Sequence, residues 1–90
     1  MSKRKFKKWL KEFKKSNAKI PYNIYKKILE EEFGIKEVKK SGSVRSFIMN
    51  DSTVFVIHEP HGKNLPVGKW DHLNVLQFLK QKGLINDEEN

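Results

Sequence analysis

The chain has 90 residues, no cysteine and a formal net charge of +8. Its length is typical of one domain, and the lack of cysteine excludes disulfides and thiolate metal sites. No apolar run approaches the roughly 18 residues of a transmembrane helix. The basic N-terminus also lacks the apolar region of a secretory signal. We therefore expect a cytoplasmic protein with no membrane partner.

The positive charge is concentrated at the N-terminus. Residues 1–19 hold nine Lys or Arg and one Glu, whereas residues 20–90 hold ten basic and ten acidic residues. A local cationic excess attracts polyanions and speeds their capture. Nucleic acid and anionic membrane are the usual polyanions for such a segment.

Residues 3–15 have the pattern of an amphipathic helix. The apolar residues recur with a helical period, and the lysines lie mostly away from them. The apolar stripe consists of Phe6, Trp9, Leu10 and Phe13. We interpret this stripe as a surface packed on the core in preference to an exposed platform for RNA bases.

Two further helices are predicted. One starts at Pro21, which suits the first helical position, and runs to about Phe33, with Gly34 as its C-terminal residue. The other covers residues 67–82 and ends before Gly83. His72 in that helix is expected to be solvated. In the helix that starts at Pro21 the expected buried residues are Ile24, Ile28 and Leu29. In the helix over residues 67–82 they are Trp70, Leu73, Leu76 and Leu79.

Three short strands lie between these helices, at residues 35–39, 44–49 and 53–58. The loop at residues 50–52 suits a hairpin, and residues 59–66 form a Pro- and Gly-containing loop. The predicted class is α+β, with a three-stranded antiparallel sheet covered on one face by helices. The predicted parts are a basic helix (1–19) packed on the core, an α-β-β-β-α domain (20–85) and a disordered acidic tail (86–90).

Four segments of residues 24–84 form a recognisable series of motifs. They are residues 29–35 (LEEEFGI), 40–43 (KSGS), 56–63 (VIHEPHGK), and 65–68 (LPVG) leading to 76–84 (LQFLKQKGL). In order they resemble a leucine-rich helix followed by Gly and a hydrophobic residue, a Lys-x-Gly-Ser turn, a strand with a Pro-x-His loop, and a closing helix. Residues 24–84 thereby resemble the HicA family of mRNA interferase toxins, which has these features. The N-terminal helix resembles an extension found in longer members.

The resemblance implies a double-stranded-RNA-binding-like fold and a metal-independent endoribonuclease that a HicB-type antitoxin neutralises. It implies mRNA as the substrate and no cofactor. The family has its catalytic His directly after the Gly-Ser turn, where this chain has Val44. Because Val cannot transfer a proton, the predicted catalytic residues are His61 and His58, since histidine is the residue type most often used as a general acid or base. We expect no metal site.

The predicted RNA-binding residues are cationic. Arg45 and Lys63 are placed near the two histidines, and Arg can hold a phosphate with two donors. The basic helix adds Lys7, Lys8 and Lys11 as contacts to the RNA backbone. One alternative is a catalytically inactive RNA-binding module that uses the same surface. A second is a membrane-surface or partner-docking protein acting through the N-terminal helix.

Overall fold

The structure, a computed structural model, describes residues 2–62 and 65–85. In chain order these residues form the helices α1 (Lys3–Phe13) and α2 (Tyr22–Phe33), the strands β1 (Lys36–Ser41), β2 (Val44–Ile48) and β3 (Val54–His58), and the helix α3 (Lys69–Gln81). The strands pair antiparallel in the order β1-β2-β3. The predicted α+β class and the order α-α-β-β-β-α are confirmed. The predicted contact residue Lys63 and the predicted tail at 86–90 lie outside the described residues.

Local sequence explains where α1 begins and where α2 ends. The Ser2 side chain accepts a hydrogen bond from the Lys5 N–H at 3.2 Å, which satisfies one of the free donors of the first turn of α1. Helix α2 ends at Gly34, whose φ of 67° is left-handed. That conformation strains any residue with a Cβ. The Ile35 N–H then donates to the Leu29 carbonyl at 2.9 Å and closes the end.

Both hairpins are tight. Residues 42 and 43 connect β1 to β2, and Gly42 has a φ of 60°, as the first position of a type II′ turn requires. The second loop is the predicted three-residue hairpin of residues 50–52. In this loop Ser52 has a φ of 72°, and the Met49 N–H donates to the Thr53 carbonyl at 2.8 Å. These turns fix the register of the sheet.

The two faces of the sheet differ in character. Phe47 pairs with Phe55 and Arg45 pairs with Ile57, and these pairs point toward the helices. The opposite face is open, and there Val44 pairs with His58. The open face also carries the pairs Ser46–Val56 and Ile48–Val54. Val54 and Val56 are about half exposed, so the predicted one-sided cover of the sheet is confirmed.

Phe13 joins the basic helix to the rest of the core. It is fully buried, and its ring centroid lies 5.0 Å from that of Tyr25 and 5.2 Å from that of His72. The connection to α2 is held by a hydrogen bond from the Val67 N–H to the Ile20 carbonyl at 2.9 Å. Helix α1 is therefore packed on the body of the domain. Phe6, Trp9 and Leu10 are partly buried against the same core.

Four expectations about buried residues are wrong, and one of them concerns Leu73, which is only half-buried. Trp70 is 75% exposed, whereas His72 is only 1% exposed. They are two positions apart, which is a rotation of about 200° around a helix, so burial of one turns the other to solvent. In α2 the buried stripe starts at Tyr25, and Ile24 is only half-buried at its edge. The remaining predicted residues of both stripes are buried, namely Ile28, Leu29, Leu76 and Leu79. The differences therefore lie in the N-terminal part of each stripe.

Candidate nucleic-acid interface

The cationic side chains of α1 form an exposed surface. The three predicted contacts Lys7, Lys8 and Lys11 are exposed. Within residues 2–62 and 65–85 none of these three ammonium groups lies within ion-pairing distance of a carboxylate. We call the exposed basic residues of α1 the basic face. They are Lys3, Arg4, Lys5, Lys7, Lys8 and Lys11.

The two sides of the basic face have different surroundings. Lys7 borders a groove whose far wall includes Glu31 and Glu32 of α2. Lys8 borders another groove, which contains Trp9. Lys27 lines the same groove and pairs with Glu31 at 3.7 Å, so Glu32 is the carboxylate that chiefly reduces the positive potential around Lys7. The side of Lys8 is therefore the more attractive one for a polyanion.

The groove at Trp9 lies between α1 and the beginning of α2. Its walls are the Trp9 ring and Ile24, and its remaining lining residues are Lys5, Lys8, Glu12 and Lys19. The sequence pattern assigned Trp9 to the core only. Lys19 belongs to the connection after α1, so its position beside Lys5 and Lys8 follows from the way the chain turns back toward α2.

His58 is held by an acidic residue from α3. The Asp71 Oδ2 atom accepts the backbone N–H of His58 at 2.9 Å and lies 3.2 Å from its Nδ1. Because a carboxylate only accepts, the hydrogen bond places the ring proton on Nδ1, and among residues 2–62 and 65–85 no protein group hydrogen-bonds to Nε2. The side chain is 61% exposed on the open face. Its cross-strand partner is Val44, the position at which the resemblance implied a catalytic His.

His61 lies beyond β3, in the loop. It is exposed, and among the described residues no protein group forms a hydrogen bond with its ring. The structure thus places one predicted catalytic histidine on the open face and the other at the exit of the same strand. Lys63, which was predicted to accompany them, is outside the described residues.

Arg45 points away from His58. It lies on the helix-covered face of β2, and its side chain is only 15% exposed. Its Nη2 atom is 2.7 Å from Glu59 Oε1, and its Nη1 donates to the carbonyls of Gly42 and Val44. The guanidinium therefore ties the first hairpin to the residue after β3. The structure does not bring Arg45 together with the two histidines.

A second charged cluster surrounds Glu37 on the same covered face. The Tyr22 hydroxyl donates to Glu37 Oε1 at 2.7 Å, and Lys26 and Lys40 lie within 3.7 Å of its carboxylate. Burial raises the pKa of Tyr22, and the hydrogen bond to Glu37 raises it further. Burial also tends to raise the pKa of Glu37, but Tyr22 and the two lysines outweigh it and lower that pKa. This cluster connects α2 to β1.

His72 is a structural residue, contrary to the expectation that it is solvated. Its Nε2 lies 2.8 Å from the Lys15 carbonyl oxygen, and its Nδ1 lies 2.7 Å from the Tyr25 hydroxyl. The carbonyl can only accept, so Nε2 carries the proton and Nδ1 accepts from Tyr25. Burial lowers the pKa of His72 and raises that of Tyr25, which favours this neutral pair. The helical spacing of His72 with Val75, Leu76 and Leu79 is the sequence signal that indicates its burial.

Within the described residues, no group of three or more His, Asp or Glu side chains is placed to hold a metal ion. None of the helices in residues 2–62 and 65–85 has the length and apolarity needed to cross a bilayer. Comparison with models of known protein families, with curated proteins and with solved structures found no match.

Proposed function

We propose that this protein binds RNA through the basic face of α1, as the toxin-like partner of a HicA-type toxin–antitoxin pair. The observation that supports the proposal is the dense row of exposed lysines on a helix anchored to the core by Phe13. A fixed row of ammonium groups can neutralise successive phosphates and release their counterions. A mobile basic tail would lose more conformational entropy on binding.

The salt dependence of binding tests this proposal. The affinity for an RNA hairpin is measured at several salt concentrations for the wild type and for the variant K7Q/K8Q/K11Q. If all three lysines contact phosphates, the slope of log K against log salt falls by roughly 2–3, since each contact contributes about 0.9 on a duplex. Lys8 is expected to contribute more than Lys7, because Glu32 lies across the groove from Lys7.

The matched control removes the same charge elsewhere. The variant K36Q/K39Q/K69Q changes three exposed lysines outside α1 and outside the two grooves that border it, so the net charge falls equally. We expect this control to keep a slope within one unit of the wild-type value. An equal loss in both variants would mean that total charge, and not the basic face, determines binding, and it would refute the proposed interface.

The hydrogen bond between His58 and Asp71 supports RNA cleavage as a second candidate function. With Nδ1–H held by Asp71, Nε2 can remove the proton from a ribose 2′-OH. The 2′-oxygen then bonds to phosphorus, and the bond from phosphorus to the 5′-oxygen breaks. That leaving oxygen takes a proton from an acid, for which His61 is our candidate. The products are a 2′,3′-cyclic phosphate and a 5′-hydroxyl.

Incubation of purified protein with an mRNA tests the cleavage. We expect discrete cuts with 2′,3′-cyclic ends, a loss of at least about 100-fold in H58A, and a smaller loss in D71N, which keeps a polar partner for His58. Intact RNA recovered after binding would select the inactive RNA-binding module. Unchanged cutting in both H58A and H61A would exclude these two residues as the catalysts.

A HicB-type antitoxin that covers the RNA-binding surface belongs to the same proposal, with the cytoplasm as the place of action. Such a partner has to neutralise the basic face, so an acidic surface is expected on it. Co-expression with the protein encoded next to this chain should give a complex that no longer binds RNA. A complex that binds RNA as well as the free protein does would contradict this arrangement.

A further inference from the structure

We propose that the groove at Trp9 is a subsite for one unpaired nucleotide of single-stranded RNA. This inference rests on the proposed RNA binding and adds to it a preference for unpaired over paired RNA. It concerns the space between the Trp9 ring and Ile24, about 660 Å³ in volume. That volume lies within the range of small-molecule sites.

The apolar walls of this groove suit the flat face of a base. Trp9 and Ile24 are both only half-buried, so part of each side chain packs on the core and part faces the groove. Aromatic side chains in such a position stack with bases of any sequence, because every base has a π-face. In a duplex the bases already stack on their neighbours, so only an unpaired base is free to enter.

The rim of the groove suits the phosphate of the same nucleotide. Lys5, Lys8 and Lys19 supply three ammonium groups. The one acidic lining residue, Glu12, is already engaged, since its Oε2 accepts the Lys19 N–H at 3.3 Å and its Oε1 lies 3.4 Å from the Lys15 ammonium. An apolar slot with a cationic rim is complementary to an anion that carries a flat apolar body. A nucleotide has this chemistry.

Trp70 provides a matched comparison within the chain. It is 75% exposed, and the Lys69 ammonium lies 5.7 Å from its ring centroid. It therefore offers an accessible ring next to a cation. Trp70 is not among the residues that line the groove at Trp9. If an exposed ring and positive charge were sufficient, Trp70 would bind bases as well as Trp9 does.

Tryptophan fluorescence measures the two residues separately. In the variant W70F the remaining emission comes from Trp9, and in W9F it comes from Trp70. Each variant is titrated with a short unstructured oligoribonucleotide and with an RNA duplex of the same length. We expect the single strand to quench Trp9 strongly, the duplex to quench it little, and neither RNA to quench Trp70.

Affinities of leucine variants provide the second measurement. W9L should lose about 10- to 100-fold in affinity for the single strand, the typical cost of losing one stacked base. Its affinity for the duplex should change by less than about 3-fold, and W70L should change neither. K5Q/K8Q should weaken both targets while it leaves the folded state intact. Because quenching in W70F uses the native Trp9, that result stands even if W9L folds poorly.

The outcomes separate this inference from the proposed function. RNA binding without quenching of Trp9 overturns the subsite and leaves the basic face as the interface. Equal quenching by single strand and duplex overturns the preference for unpaired RNA. Failure to bind either RNA overturns both proposals. A blue shift of Trp9 emission with vesicles of anionic phospholipid, in the absence of any RNA effect, would assign the groove to a membrane surface.

Discussion

Tyr25 and His72 form a buried hydrogen-bonded pair, and the substitution Tyr25→Phe tests whether it holds the three helices together. Tyr25 belongs to α2, His72 belongs to α3, and the carbonyl that His72 contacts follows α1 at Lys15. The substitution removes one oxygen atom from a side chain that is 1% exposed. His72 Nδ1 then has no donor, while its Nε2 still needs its proton for the Lys15 carbonyl.

The magnitude follows from the environment of this hydrogen bond. An average hydrogen bond contributes about 1 kcal/mol, and leaving its buried partner unsatisfied costs about 1–3 kcal/mol. We therefore expect Tyr25→Phe to lower the free energy of unfolding by about 2 kcal/mol. For a domain of this size that loss corresponds to a decrease in Tm of roughly 8–16 °C. The variant still folds if the total stability is about 5–13 kcal/mol.

Chemical denaturation and a double-mutant cycle measure the effect. The free energy of unfolding is determined in urea for the wild type, Tyr25→Phe, His72→Leu and the double variant. Residues in direct contact show coupling energies of about 0.5–3 kcal/mol, so Tyr25→Phe should cost at least 1 kcal/mol less when His72 is already Leu. A loss below 0.5 kcal/mol in the wild-type background, or strictly additive effects, would refute the hydrogen-bonded pair.

Three further predictions concern stability. Burial lowers the pKa of His72 in the folded state. As the pH decreases, the unfolded chain therefore takes up a proton at this residue before the folded protein does, and the free energy of unfolding falls below about pH 6.5. Urea titrations from pH 7 to pH 5 should show this fall in the wild type and a weaker one in His72→Gln; equal slopes would contradict it. Gly34→Ala should cost about 1 kcal/mol by thermal unfolding, because φ is 67° there while the nearest side chain, at 3.5 Å, leaves room for a Cβ; an unchanged Tm would contradict that. Trp70→Ser should change stability by less than about 0.5 kcal/mol, since the side chain is 75% exposed, and a larger loss would place Trp70 in the core after all.

The candidate site was predictable only in part. The cationic character of residues 1–19 and the helical spacing of its apolar residues are properties of adjacent positions, so the basic face is visible in the sequence. The position of Lys19 beside the basic face depends on the turn that brings α2 back against α1. The groove beside Trp9 depends on the same turn. The hydrogen bond from His58 to Asp71 spans 13 residues, and Arg45 pairs with Glu59 across the sheet. Neither pairing has a sequence signal.

Local rules in the sequence determined the helices, the strands, both hairpin turns and the asymmetry of charge, because periodicity, Gly positions and turn chemistry act over a few residues. Tertiary packing decided which residues complete the buried stripes of α2 and α3. Trp70 and His72 lie about 200° apart around α3, and the buried position of His72 goes with its contacts to Phe13 and Tyr25, which belong to other elements. Tertiary packing also decided that Arg45 faces the covered side of the sheet and His58 the open side, since sheet register and twist are set by all three strands together.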